Sequence, residues 1–378
     1  MRKWFVLALL GLAAGMTLGA VGLQAADTLK IGMVAPTTGQ QAESGRWQIQ
    51  GAKLAVAEIN KAGGVLGKQV ELVIEDGQGS NPGVILAFTK LAGDNSIPAF
   101  IGTVRSTEIR AMSPEILKAG KPMIIGGTDP ALTHMGNQWY FRVRPHDGYS
   151  ARVIAEYGVN TLQKKKWAII YSSEAFGNGG KEALTAALKA KGIVPVLSQG
   201  YPNGSADFTA VVLALKSSGA DIMASYMALD NDLGIFAKQL RQFGVNIPWI
   251  GSPSITGTTA MRLAGPALNG AYGVADYDPD SSPAAKAYFQ KYEAAYKMRP
   301  DFFSSWSYDG MHVLARAINN AKSTDPQKIR EALLAIKNYQ GAEGTYNFDK
   351  NGDGLHGYNV VKNTNGKWGF DKHIDFKD

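Results

Sequence analysis

The sequence predicts an α/β protein of two Rossmann-like lobes, each a sheet with a parallel core flanked by helices, joined by several crossovers. Three observations carry that prediction. The chain has 378 residues, more than a single domain of roughly 100–200 residues usually holds. From Thr28 onward β-rich runs alternate with helical patterns, the mark of βαβ units and a parallel sheet. The rhythm then begins afresh after Asp147, like a second copy of one architecture.

In chain order, 29–34 reads as the first strand. Ala52, Ala55, Val56 and Ile59 then recur at i, i+3, i+4 and i+7, one buried helix face, and Gly63-Gly64 stops the helix. The second strand is 70–74. A helix precedes the strand 99–102, another follows from Thr107, and 122–126 supplies a further strand. The second series opens with a helix from Asp147 to Leu162, the strand 167–171 and a helix from about 181 to 191. Phe208, Val211, Val212 and Leu215 repeat the helical spacing ahead of the strand 221–226, and a helix begins near Asp230. Beyond Ala275 the order changes to helices over 284–296, 304–320 and 326–336, with short β segments near 345–348 and 357–361. Helices added this late must pack on an existing sheet. The expected division is a first lobe of 27–147 plus 278–357 and a second of 148–277 plus 358–378. The crossovers between them are the natural hinge.

Composition narrows the chemistry. The chain has no cysteine, which removes disulfides, thiolate nucleophiles, thiolate zinc sites and iron–sulfur clusters together. Hydrophobic residues make up 45%, enough for packed cores, and only one long apolar run exists, so a polytopic membrane protein is excluded. That run, from Trp4 to Leu23 behind Arg2 and Lys3, ends in small residues and reads as a signal peptide (1–26) cleaved near Ala25 or Ala26. A permanent anchor is the rival reading; Gly11, Gly15, Gly19 and Gly22 dilute the run and favour cleavage. The net charge of +7 is spread along the chain, with Lys164 to Lys166 its densest run. Such a run reads as a solvated helix end, and nothing supports nucleic-acid binding.

Motifs for chemistry fail when their spacing is checked. Asp349-Lys350-Asn351-Gly352-Asp353-Gly354 matches the first half of a calcium loop, but its twelfth position is Val360 and both flanks read as strand, so it is a glycine-rich turn. Gly177-Asn178-Gly179-Gly180-Lys181 resembles a phosphate loop, yet Glu182 follows the lysine and Ala175 takes the leading glycine position. The five histidines lie far apart, and neither H-E-x-x-H nor G-x-S-x-G occurs. The expectation is a protein without catalytic residues, metal or cofactor.

Ligands of open α/β sheets bind beyond the carboxyl ends of strands, at loops that open helices. Two loops qualify: Thr103-Val104-Arg105-Ser106-Thr107 and Gly126-Gly127-Thr128-Asp129-Pro130. Hydroxyls and free N–H groups at such a helix start suit an anion such as a carboxylate. Plain N-capping by Ser106 and Thr128 explains the same residues without a ligand.

The resemblance that decides between these is carried by residues 29–36, by 51–60 with Gly63-Gly64-Val65-Leu66-Gly67, by Ile101-Gly102 and by Pro122-Met123-Ile124-Ile125. Phe141-Arg142, Asp147 and Phe176-Gly177 continue it. Past the leader, the whole chain resembles the leucine/isoleucine/valine-type periplasmic binding proteins. These form the type I class that serves ABC importers of branched-chain amino acids and related solutes.

That resemblance implies a site. The hydroxyl and amide at Ser106 and those at Thr128 would hold the ligand's α-carboxylate, backbone groups at Val104 and Gly126 would contact the amino acid, and the Gly126 carbonyl would accept from an ammonium. Phe176 would cover the ligand from the second lobe. Ser44 stands where the family often has an aromatic residue, on the helix that carries Arg46 and Trp47. The acid that pairs with the ammonium is expected near Gly251-Ser252-Pro253-Ser254, where none exists. Three explanations stay open: Asp230 substitutes, neutral acceptors suffice, or the ligand is an amine-free carboxylic acid walled by Trp47, Phe176 and Tyr226 with Arg46 or Arg105 adding charge. The implied function is capture of a small carboxylate between the lobes and its delivery to an ABC permease with ATPase subunits. The implied protein is monomeric, free in the periplasm and not lipidated, since lipidation needs a cysteine. A sensor would use the same closure, and an enzyme would need an acid–base pair or metal in the cleft.

Overall fold

The computed structural model describes residues 28–376, so the expected leader at 1–26 lies outside the described residues. The first part of the chain runs β1 (Thr28–Ala35), α1 (Ala42–Lys61), β2 (Gln69–Asp76), α2 (Asn81–Ala92), β3 (Phe100–Ile101), α3 (Ser106–Ala119), β4 (Met123–Ile125), α4 (Ala131–His134) and β5 (Tyr140–Arg142). Its five strands form one wholly parallel sheet in the order β2-β1-β3-β4-β5. Both faces of that sheet are covered, which is why its inner strands are largely apolar, whereas the edge strand β2 keeps Gln69, Glu71, Glu75 and Asp76. Leu29, Ile31 and Met33 of β1 point to one core and Val34 to the other, and β4 splits Ile124 from Met123 and Ile125 in the same way.

The chain continues with α5 (Asp147–Glu156), β6 (Trp167–Ser172), α6 (Ala175–Lys189), β7 (Leu197–Tyr201), α7 (Thr209–Ser217), β8 (Ile222–Tyr226), α8 (Asp230–Gln242), β9 (Trp249–Gly251), α9 (Thr258–Ala264) and β10 (Tyr272–Ala275). Then come α10 (Pro283–Tyr296), α11 (Phe302–Ala321), α12 (Pro326–Leu334), the short pair β11 (Tyr339–Gln340) and β12 (Thr345–Tyr346), and the strands β13 (Gly357–Thr364) and β14 (Lys367–Asp375). The second sheet has seven strands, β14-β13-β10-β9-β8-β6-β7. It is parallel from β7 to β10, and the last two strands add antiparallel. Helices α5 and α6 cover one face, and α7, α8 and α9 the other.

Helices α10 to α12 pack on the first sheet, as Tyr288, Trp306, Leu314 and Ile329 share a core with Ile31 and Ala55. The most extensive helix–helix contact is between α1 and α11. Gly51 permits it, because a Cβ there would lie 2.0 Å from the Ser304 carbonyl oxygen. The chain therefore passes between the sheets three times: from β5 into α5, from β10 into α10, and from β12 into β13.

Several local expectations are corrected. The helix expected from about 181 begins at Ala175, because the Glu174 carboxylate caps it by accepting from the N–H groups of Phe176 and Gly177 at 3.0 and 2.9 Å. The second late helix starts at Phe302 instead of 304, held by a capping box between Asp301 and Ser304. The helix expected to reach Leu162 widens into a π-helical turn over Tyr157–Thr161. At 349–354 the chain makes a turn in which Asp349 Oδ1 accepts from the N–H groups of Asn351 and Asp353, and the Asp353 carboxylate is taken by Arg142 at 2.7 Å.

Candidate interlobe binding site

Four helices, α3, α6, α8 and α11, start at one place between the lobes, and residues at or beside their first turns line a common cavity. They surround a cavity with about 540 Å³ of empty space, solvent at its mouth included. The first lobe contributes Gln41, Val104, Arg105, Ser106 and Thr128; the second contributes Glu174, Phe176, Ala228, Asp230, Pro253 and Ser254; Arg144 and the Phe302-Phe303 pair close the end near the crossovers.

The two loops marked in the sequence meet here. The Ser106 hydroxyl oxygen accepts from the Asp129 N–H at 3.1 Å, which ties one loop to the other and leaves the hydroxyl proton for a further acceptor. Thr128 is buried, and its carbonyl accepts from the Asp147 N–H at 2.7 Å. The loop that carries it is pinned from the first crossover: Arg142 donates to the carbonyls of Gly127 and Asp129, and Arg144 donates to that of Gly126 at 2.8 Å. The Gly126 carbonyl is thus engaged by a guanidinium, and the space a Cβ would need at Gly126 is filled by the Trp306 ring, so this residue backs the cavity instead of lining it.

Other expected residues are set apart by packing. Trp47 is buried in the first lobe's core and stacks on Tyr292 at 6.0 Å. Tyr226 lies wholly buried beneath Phe176, with its hydroxyl bonded to Ser150 at 2.8 Å. Neither lines the cavity. Arg46 is half exposed, beside Glu43 and over the Trp47 ring. Ser44 is buried, donates to the Gln41 carbonyl and borders an adjoining cavity. Arg105 does line the site, at 3.5 Å from Glu108 of its own helix.

Charge in the cavity is uneven. Arg144 is buried and held in a two-pronged pair with Asp276 at 3.0 and 2.9 Å. Glu174 is fully occupied, accepting from Ser172, Phe176, Gly177 and, across the lobes, the Thr107 hydroxyl at 2.6 Å. Burial pushes the Glu108 carboxyl up to about 7, against the pull of Arg105 and a hydrogen bond from Thr103. Asp230 differs from all of these. It opens α8, faces the cavity and has no hydrogen-bond partner among the described residues. Burial, then the nearby carboxylates of Asp301 and Glu43, raises it to about 7, with Arg262 opposing. The cavity thus sets one carboxyl group of the second lobe, without a hydrogen-bond partner among the described residues, opposite the Ser106 hydroxyl of the first.

The residues that sequence reasoning missed are Gln41, Glu174, Arg144 and the pair Phe302-Phe303. Glu174 and Asp301 stand immediately before helices where capping residues belong, which was a readable signal. Arg144 pairs with Asp276 across 132 positions, and no local pattern announces that.

Known proteins resemble this chain in sequence and in fold. Residues 28–367 match the periplasmic binding protein family. An amino acid binding protein of Pseudomonas aeruginosa is 30% identical over 355 residues, covering 93% of this chain and 94% of that protein. The Leu/Ile/Val-binding protein homolog 3 of Brucella melitensis is 31% identical, covering 90% of this chain and 92% of that one. Among solved structures, the branched-chain amino acid transporter substrate binding protein of Streptococcus pneumoniae, in complex with isoleucine, superposes with a TM-score of 0.84. It is 26% identical and covers 93% of this chain and 100% of that one.

Proposed function

The chain belongs to the periplasmic binding protein family, and from that premise we propose that it captures an α-amino acid between its lobes and hands it to the permease of an ABC importer. The observation that carries this reading is the Asp230 carboxylate, unpaired in a cavity whose opposite wall offers the Ser106 hydroxyl and the start of α3. A zwitterion satisfies both walls at once. An amine-free acid would satisfy one wall only, and its charge would oblige Asp230 to keep its proton above the carboxyl's own value of about 7. Of the three explanations open at the level of sequence, substitution by Asp230 is therefore preferred.

In this reading Ser106 and Thr128 grip the carboxylate, Asp230 takes the ammonium, Phe176 with Phe302 and Phe303 supplies apolar walls, and the crossovers act as the hinge. The leader is removed on export, the mature protein is a periplasmic monomer, and ATP hydrolysis belongs to partner subunits. Neither catalysis nor a cofactor enters. Closure is driven by contacts that the ligand makes only with the closed form.

Calorimetry tests the reading. Ser106→Ala with Thr128→Val removes hydrogen bonds to a charged group, costing about 1.5–3 kcal/mol each. Asp230→Asn weakens binding of amino acids and spares amine-free acids. Unchanged affinity in the double variant, or equal loss for both solute classes in Asp230→Asn, overturns it.

A further inference from the structure

Beside the main cavity lies a second one with about 670 Å³ of empty space, and the two share Gln41, Ala228, Asp230 and Phe303 as a common wall. Its own residues come from both lobes and are mostly polar: Gln40, Glu43 and Ser44 from the start of α1, and Asn231, Thr259 and Arg262 from α8 and α9. Glu43 and Arg262 meet across the lobes at 3.0 Å and neutralise each other. Once Asp230 answers the ligand's ammonium, no net charge remains in this chamber. What remains is a set of amides and hydroxyls, each able to donate and accept.

Resting on the functional reading above, we propose that the solute's side chain passes Asp230 into this second chamber, so that the preferred substrates are α-amino acids with a neutral, hydrogen-bonding tail of carboxamide type. A chamber lined by polar groups, Ser44 and Thr259 buried and Gln40 and Asn231 exposed, disfavours an isosteric apolar tail because that tail displaces water without replacing its hydrogen bonds. A charged tail would enter a chamber whose one cation and one anion already satisfy each other.

The test uses the purified protein, stripped of bound solute by unfolding and refolding, and titrates it by calorimetry with glutamine, norleucine, lysine, glutamate, leucine and isoleucine. Glutamine and norleucine have nearly the same length and differ in polarity. Glutamine is expected to bind at least about tenfold more tightly than norleucine, with lysine and glutamate weaker than glutamine. Tighter binding of norleucine, leucine, isoleucine or either charged amino acid overturns the proposal and leaves amino-acid capture standing. No binding of any of the six overturns the capture reading, and this proposal with it. Asn231 is exposed at the chamber's edge, so Asn231→Leu should fold; it is expected to lower glutamine affinity at least about fivefold and not that of norleucine. Equal loss for both solutes would place the tail elsewhere.

Discussion

Thr107 of the first lobe donates its hydroxyl to the Glu174 carboxylate of the second at 2.6 Å. Glu174 also caps the helix that presents Phe176, so one side chain fixes the local fold of the second lobe and records its approach to the first. The contact exists only while the lobes are together.

Thr107→Val should therefore weaken solute binding without unfolding either lobe. A hydrogen bond to a charged group that is partly exposed contributes about 1 kcal/mol, or roughly fivefold in affinity. Calorimetric affinity and the thermal midpoint of the unliganded protein separate the two effects; a fall in the midpoint with unchanged affinity would contradict the assignment.

Gly179 sits within α6, where a Cβ would lie 3.0 Å from Asp129 Oδ1 of the opposite lobe, and Asp129 is itself held by Arg110. Gly179→Ala improves helix propensity by up to about 1 kcal/mol while obstructing the approach of the lobes. Thermal stability of the unliganded form is expected to hold or rise as affinity falls severalfold. Affinity and stability rising together would show that Asp129 gives way.

For Asp230, the raised value of about 7 fixes the sign of two pH effects. Between about pH 4 and 7 the folded chain holds a proton that the unfolded chain has released, so stability declines as pH rises through that window. Asp230→Asn should flatten this slope in denaturant titrations. Amino-acid affinity should run the opposite way, rising by up to about tenfold per pH unit below 7 and levelling above it as the carboxylate ionises. An affinity independent of pH between 5 and 8 would contradict the pairing.

Arg144→Ala strands the buried Asp276 carboxylate and frees the Gly126 carbonyl. Removing one partner of such a pair costs about 3–5 kcal/mol, so the urea midpoint should fall sharply. A loss below about 1 kcal/mol would show that water reaches Asp276.

The sequence was informative wherever a signal is local. The run into Ser106, the loop at Thr128 and the acid that opens α8 are each short patterns at a strand's end, and all three converge on one cavity. Aromatic residues near those loops were ambiguous, since burial in a core and exposure to a cleft demand the same side chain: Phe176 faces the cavity, and Tyr226 directly beneath it does not. Pairs that join distant crossovers, such as Arg142 with Asp353 and Arg144 with Asp276, have no sequence signature. They follow from topology. The short strands β5, β9 and β10, of three or four residues, were missed because too few residues show the two-residue period.

Those same pairs bind the three interlobe passages to one another: Arg142 of the first to Asp353 of the third, Arg144 of the first to Asp276 of the second, and Asn359 back to the Asp276 carbonyl at 3.1 Å. A junction laced in this manner resists twist and sideways slip far better than it resists bending about one line. Opening then approximates a single swing with one coordinate, and a pair of fluorophores placed on opposite rims would report occupancy as one distance, with little blurring from other motions.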